Sequence, residues 1–258
     1  MEKKIEEIYA LFLAHPVVST DSRQVPPGSI FFALRGESFN GNGYALQAIE
    51  SGATAAIVDD PELSGHPGCI LVEDVLQSLQ LLAAHHRKQF NIPVIAITGT
   101  NGKTTTKELI NGVLSVKYRT VATRGNLNNH IGVPLTLLTI TPETELAIIE
   151  MGANHPGEID FLCKLAQPDY GLITNIGKAH LEGFGSFEGV IGTKTELYRF
   201  LQKKGGKIFL NQKDPLLEAH AKGLDAVTYG APESDLATSN ITADPFVAIV
   251  LNIKNIGA

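Results

Sequence analysis

The chain has 258 residues, 43% of them hydrophobic and 19% charged, with 21 Lys and Arg against 27 Asp and Glu for a formal net charge of −6. This is too apolar for a disordered chain, and the acidic balance disfavours a general binder of nucleic acid or anionic membrane, which needs a basic surplus. At roughly 150 residues per domain the length admits one large or two small domains. Cys69 and Cys163 stand far apart with no CxxC or Cys/His cluster, so they read as core thiols in a reducing compartment rather than a disulfide framework. No apolar run approaches the length of a membrane span. A cytoplasmic monomer that binds no nucleic acid and inserts in no membrane is expected.

In chain order, Ile5, Ile8, Leu11 and Phe12 fall near helical spacing and predict an N-terminal docking helix. Residues 29–34 (SIFFAL), 54–58 (TAAIV) and 69–72 (CILV) predict short strands, with helices over 44–51 and 74–89. Asn91-Ile92-Pro93 breaks the second of these helices and marks a boundary, giving domains of 1–90 and 91–258. Beyond it, strands are predicted at 94–98, 120–122, 146–150, 171–174, 207–210 and 226–229, and helices at 103–116, 157–166, 187–203 and 215–221. Short apolar runs without alternation, separated by helices, indicate an α/β fold: a small α/β domain followed by a mostly parallel sheet covered on both faces. Ligands of such sheets bind beyond the carboxyl ends of the strands, where nearly every unusual residue of this sequence falls.

The strongest signal is VIAIT followed by Gly99-Thr100-Asn101-Gly102-Lys103-Thr104-Thr105. Glycines at 99 and 102 let the backbone turn tightly against phosphate oxygens, and a helix opening near Lys103 aims its unpaired amides at the anion. Lys103 reaches for the β/γ-phosphates and the Thr104 hydroxyl is placed for Mg²⁺. The general phosphate-loop pattern has a glycine where this chain has Ile97, so a literal pattern match fails while the strand–turn–GKT–helix context holds. A fortuitous glycine turn is the competing reading.

Glu150 ends the apolar run LAIIE and suits Mg²⁺, directly or through water. The alternative is a solvated strand-end acid. His180, flanked by Asn175 and Glu182, follows another strand end, although an isolated His is more often a surface or satisfied core residue. Lys194 lies in a helical stretch and by itself reads as a solvated lysine. The amide-rich loop Asn126-Leu127-Asn128-Asn129 either caps the next helix or bonds a polar ligand. His85 and His86 are adjacent on a helix and point to different faces; His15, His66 and His220 read as surface residues. Asn154 or His155 is expected to cap the helix after it.

TGTNGKTTTKE, NLNNHIGVPLT, EMGANHPGEI and TNIGKAHLEGFGS, in this order, resemble the Mur ligase family, and within it the branch that joins D-alanyl-D-alanine to UDP-N-acetylmuramoyl-tripeptide. DSRQVPPGSIFFALRGESFNGNGYALQAIESGATAAIV is similar to that family's UDP-binding domain, and the likeness covers most of residues 20–235. The resemblance implies an ATP-dependent amide ligase of peptidoglycan precursor synthesis, working through an acyl phosphate with ATP and Mg²⁺. It implies that Gly99, Thr100, Asn101, Gly102, Lys103, Thr104, Thr105 and Asn129 serve the nucleotide, and that Thr104, Glu150, His180 and Lys194 serve metal. Lys103, His180 and Lys194 would be catalytic, with Lys194 carbamylated, because a bare ammonium repels Mg²⁺ where a carbamate supplies anionic oxygens. Asn126 would contact substrate, and Ser22 and Arg23 the UDP moiety. Where the family usually shows Asp-Gly-His, this chain has Asn40-Gly41-Asn42. Family members run on into a third, Rossmann-like domain that helps bind ATP and the incoming amine. This sequence stops at IKNIGA, so impaired turnover is expected. Two other readings stay open: a binding module without catalysis, and a sibling ligase (one taking another amino acid, or a folate-type ligase).

Overall fold

A computed structural model describes residues 2–178, 181–243 and 247–254. It forms two compact units, the first made of Met1–Asn91 with His130–Thr141, the second of Ile92–Asn129 with Pro142–Ala258.

The chain opens with α1 (Glu2–Ala14), whose Ile5, Ile8 and Phe12 line one buried face at helical spacing. There follow β1 (Val18–Ser19), β2 (Ile30–Phe32), the small antiparallel hairpin β3 (Arg35–Gly36) and β4 (Phe39–Asn40), α2 (Ala45–Glu50), β5 (Ala55–Val58), β6 (Cys69–Leu71) and α3 (Val75–Arg87). A parallel sheet in the order β1-β2-β5-β6 carries the unit. Every residue of β2 and β5 is buried, which requires cover on both faces and explains their unbroken apolar runs. His86 is a satisfied core histidine: its Nε2 donates to Ile140 O (2.8 Å), its Nδ1 accepts from the Tyr9 hydroxyl (3.3 Å), and burial pushes its pKa down. At the Asn40-Gly41-Asn42 departure, Asn42 is buried and gives its amide to Asp59 Oδ1 (2.7 Å) and Asn40 Oδ1 (2.9 Å). Arg35 closes the same cluster on Asp59 at 2.7 Å. Gly41 is pressed on backbone, since a Cβ there would lie 2.5 Å from Leu34 O.

The second unit begins with β7 (Val94–Thr98), α4 (Lys103–Leu114) and β8 (Thr120–Ala122). Next comes α5 (Gly132–Leu137), a helix not anticipated from the sequence, which packs on α3. Its segment, left with the second domain in the sequence reading, belongs to the first unit. The chain continues through β9 (Leu146–Glu150), α6 (Glu158–Ala166), β10 (Tyr170–Ile173), α7 (Leu181–Phe184), α8 (Phe187–Lys194), α9 (Glu196–Lys204), β11 (Lys207–Asn211), α10 (Pro215–His220), β12 (Asp225–Gly230), β13 (Leu236–Ala243) and β14 (Val247–Ile253). The sheet order is β14-β13-β12-β11-β10-β7-β9-β8, with β13 and β14 antiparallel and the other pairs parallel. This is an α/β protein with a small parallel sheet in its first unit and a larger, mostly parallel sheet in its second.

The single helix expected over 187–203 is two, divided at Thr195. The Thr195 hydroxyl bonds back to Ile191 O (2.8 Å), and Arg199 spans the break to Gly192 O (2.7 Å). Helix α9 lies close on β10 because Gly171 has no side chain; a Cβ there would meet Leu201 Cδ1 at 2.4 Å. Helix α6 is entered through Gly157 at φ 87°, so neither Asn154 nor His155 caps it. Those two residues instead give their backbone N–H groups to Glu158 Oε2 (2.6 and 2.9 Å).

Candidate functional site

Strands β9, β7 and β10 are neighbours, and β7 sends the chain to one side of itself before β10 returns on the other. Their carboxyl ends therefore flank a switch point of the sheet, where a ligand crevice is expected. The loop after β7 turns at Gly99, φ 139°, where a Cβ would lie 2.0 Å from Thr174 Oγ1. Gly102, φ 76°, opens α4. The loop is latched to the segment after β10. Asn175 O accepts from Thr100 N (2.9 Å), Asn175 Oδ1 accepts from Asn101 N (3.1 Å), and Asn175 Nδ2 donates to Asn101 O (3.0 Å). Thr174 Oγ1 adds a bond to Asn101 O at 2.7 Å, and the Thr100 hydroxyl bonds both Gly177 N and Gly177 O. The N–H groups of Thr100 and Asn101 are thus engaged within the protein. Those of Gly102 to Thr105 stand at the positive end of α4, where the first turn has no intrahelical acceptor. Lys103 arches over the loop, its Nζ donating to Gly99 O (2.8 Å) and Thr100 O (2.9 Å). Burial lowers its pKa, and the Glu150 charge partly restores it.

Glu150 is 1% exposed at the end of β9. One carboxylate oxygen, Oε1, accepts from Asn128 Nδ2 (2.8 Å) and the Thr104 hydroxyl (3.2 Å). The other, Oε2, is buried without a hydrogen-bond partner among the described residues. An ionised oxygen in that condition is costly unless a cation or donor meets it. Among the described residues no three His, Cys, Asp or Glu converge. A divalent ion here would therefore draw on Glu150, the Thr104 hydroxyl, phosphate and water: an all-oxygen set suited to Mg²⁺. The residues fit the ion.

Lys194, at the end of α8, is 4% exposed, with its Nζ 5.6 Å from the centroid of the Phe184 ring. It is not a solvated helix lysine. Burial and, after it, the Lys103 charge push its pKa down to about 8, while Glu158 and Glu196 oppose them. Glu196 holds the entry of α6, accepting from Gly157 N (2.7 Å) and Asp160 N (2.9 Å).

His180 lies outside the described residues. Thr105 is exposed on the first turn of α4, and Glu182 is exposed on α7. Asn126 and Asn129 are exposed in the loop after β8, and Asn126 O accepts from Asn128 N (2.8 Å). Ser22 and Arg23 belong to the first unit, where Arg23 grips Asp21 through two side-chain bonds (2.9 and 2.8 Å) and holds its pKa at about 2. Sequence reasoning missed Asn128 as the neighbour of Glu150. It also missed Lys107, fully buried behind the loop, with Nζ donating to Thr123 O (2.6 Å). A lysine read from its residue type alone is assigned to solvent, so no local signal marked it.

Two family models match the chain. The Mur ligase middle domain matches residues 97–255, and the model described as "Mur ligase family, catalytic domain" matches residues 16–96. The UDP-N-acetylmuramoyl-tripeptide--D-alanyl-D-alanine ligase of Bacillus subtilis is 41% identical over 238 residues, covering 88% of this chain and 52% of the relative. Its Escherichia coli counterpart is 45% identical over 188 residues, covering 73% and 41%. A crystal structure of MurF from Acinetobacter baumannii superposes with a TM-score of 0.80 at 35% identity, covering 91% of this chain and 54% of that one. MurF from Thermotoga maritima, solved in complex with ADP, gives 0.79 at 31% identity, covering 89% and 53%. The chain spans about half the length of the relatives it matches. With matched models along residues 16–96 and 97–255, the chain belongs to the Mur ligase family.

Proposed function

We propose that the chain carries the UDP-substrate and ATP half of an ATP-dependent amide ligase that adds D-alanyl-D-alanine to UDP-N-acetylmuramoyl-tripeptide. The observation that carries this reading is the joining of the phosphate loop to a buried carboxylate with one unpartnered oxygen, Glu150 Oε2, at the carboxyl edge of the sheet. In the proposed reaction the γ-phosphoryl group of ATP passes to the terminal carboxylate of the tripeptide. The amine of the dipeptide attacks the acyl phosphate, which collapses to amide and inorganic phosphate. Such a transfer depends on positioning and charge neutralisation more than on covalent help from the protein.

The N-terminal amides of α4 would receive the phosphates, and Lys103 would exchange its two loop carbonyls for phosphate oxygens. Glu150 and Thr104 would hold Mg²⁺, which when bound neutralises phosphate charge. Lys194, buried and with a depressed pKa, offers the neutral amine that combines with CO₂, losing a proton to give an anionic carbamate. His180 is assigned to the same metal region, Asn129 to nucleotide, Asn126 to substrate, and Ser22 and Arg23 to the UDP moiety in the first unit.

The test is phosphate release with Mg·ATP and UDP-N-acetylmuramoyl-tripeptide, with and without D-alanyl-D-alanine. Dipeptide-dependent release that disappears in Lys103→Ala is the expected result for a complete activity. Binding of both nucleotides without release leaves a binding module. Nucleotide affinity undiminished in Lys103→Ala overturns the site.

A further inference from the structure

Glu150 Oε2 is useful to a cation only if the carboxylate plane is held, and the terminal torsion of a Glu side chain is broad and weakly restrained. Among the described residues two donors settle it, both on the other oxygen: the Thr104 hydroxyl at 3.2 Å and the Asn128 amide at 2.8 Å. They are not equivalent. A hydroxyl that turns a lone pair toward a metal can rotate, whereas the amide only donates. Asn128 is itself fixed, its carbonyl accepting from Gly152 N at 2.7 Å. Its side chain lies where residue 152 has none. A Cβ at Gly152 would stand 2.8 Å from Asn128 Oδ1, 3.0 Å from Cγ and 3.2 Å from Nδ2. Gly152 does not lie in the left-handed region, so glycine is needed there for space and not for backbone conformation.

We propose that Asn128 is a positioning residue for the metal site: its amide pins Glu150 Oε1 so that Oε2 faces the cation, and Gly152 is small to make room for it. The proposal rests on the metal reading of Glu150 given above. A neutral donor does this without adding a charge to the site.

The test uses the 258-residue chain with Mn²⁺ as a paramagnetic probe, titrated in the presence of ADP, and ADP alone titrated in EDTA. Asn128→Ala is expected to weaken Mn²⁺ binding about 10- to 100-fold, the usual effect of removing a residue that orients a metal ligand. ADP affinity in EDTA stays unchanged, a split that general damage to the fold does not produce. Asn128→Leu, which keeps the volume and loses the donor, gives the same loss and covers the case in which the Ala variant folds poorly. Gly152→Ala weakens Mn²⁺ as well. The double variant Asn128→Ala/Gly152→Ala is no worse than Asn128→Ala alone, because the nearest atoms meeting the new Cβ are all Asn128 side chain. Wild-type Mn²⁺ affinity in both Asn128 variants, or additive losses in the double variant, overturns the assignment while leaving the metal site standing. A wild-type chain that takes up no Mn²⁺ with ADP overturns both.

Discussion

Lys194 shows how far a single side chain can depart from the reading its residue type invites. Its ammonium is buried 4% exposed and its pKa falls from 10.5 to about 8, so the folded state holds the proton less tightly than the unfolded chain does. Below about pH 8 both states carry the charge and the full penalty applies; as pH rises from 8 toward 10.5 the unfolded state binds more protons and stability increases. In CO₂-free buffer, Lys194→Met is therefore expected to raise stability at pH 7 by at most about 3 kcal/mol. The gain should shrink toward pH 10, read by chemical denaturation at each pH. A gain that is flat with pH would show that the ammonium is solvated. Burial of this kind comes from the packing of α8 and its surroundings, so the local sequence around Lys194 could not reveal it. Lys103 and Thr104, by contrast, were singled out from a short contiguous motif, and the structure places them at the start of α4 as that motif predicts.

Among elements, the phosphate loop separates two uses of glycine. At Gly99 an added methyl strikes Thr174 Oγ1 at 2.0 Å and the φ of 139° is hostile to side chains, so Gly99→Ala should cost about 3 kcal/mol or more and abolish nucleotide binding. At Gly102 the space is open and only the φ of 76° opposes a side chain, so Gly102→Ala should cost about 1–2 kcal/mol. Thermal unfolding of the two variants side by side checks the order. The entry of α6 makes a third case. Glu196→Ala leaves the N–H groups of Gly157 and Asp160 without their acceptor and is expected to destabilise by about 2 kcal/mol in denaturant unfolding. The sequence showed a helix beginning near residue 157, but its cap acceptor lies 39 residues away, beyond the reach of any local pattern.

For the whole molecule, the discontinuity of the first unit has a measurable consequence. Helix α5 buries Val133 and Leu137, and Ile140 just after it supplies, through its main-chain oxygen, the acceptor for buried His86. A fragment of residues 1–91 is expected to lose fixed side-chain packing. The same fragment joined by a flexible linker to residues 130–141 should regain it, with near-UV circular dichroism and a cooperative thermal transition as the readouts. Equal cooperativity in both fragments would show that α5 is dispensable to the core. The hairpin of β13 and β14, also unread in the sequence, adds an antiparallel edge to an otherwise parallel sheet. The run VAIVLNI of β14 is of strand length and mostly apolar, so this strand was legible in the sequence although it went unread.

By itself the sequence determined the α/β class, the parallel strands through their unbroken apolar runs, the glycine turn that opens α4 and the family. All of these rest on contiguous residues whose pattern is local. Tertiary structure alone decided which groups meet: Asn175 on the loop amides, Asn128 and Thr104 on one oxygen of Glu150, Lys194 out of water, and α5 in the first unit. The hydrogen bonds among them join residues 22 to 75 positions apart, and they exist only once the strands are ordered side by side.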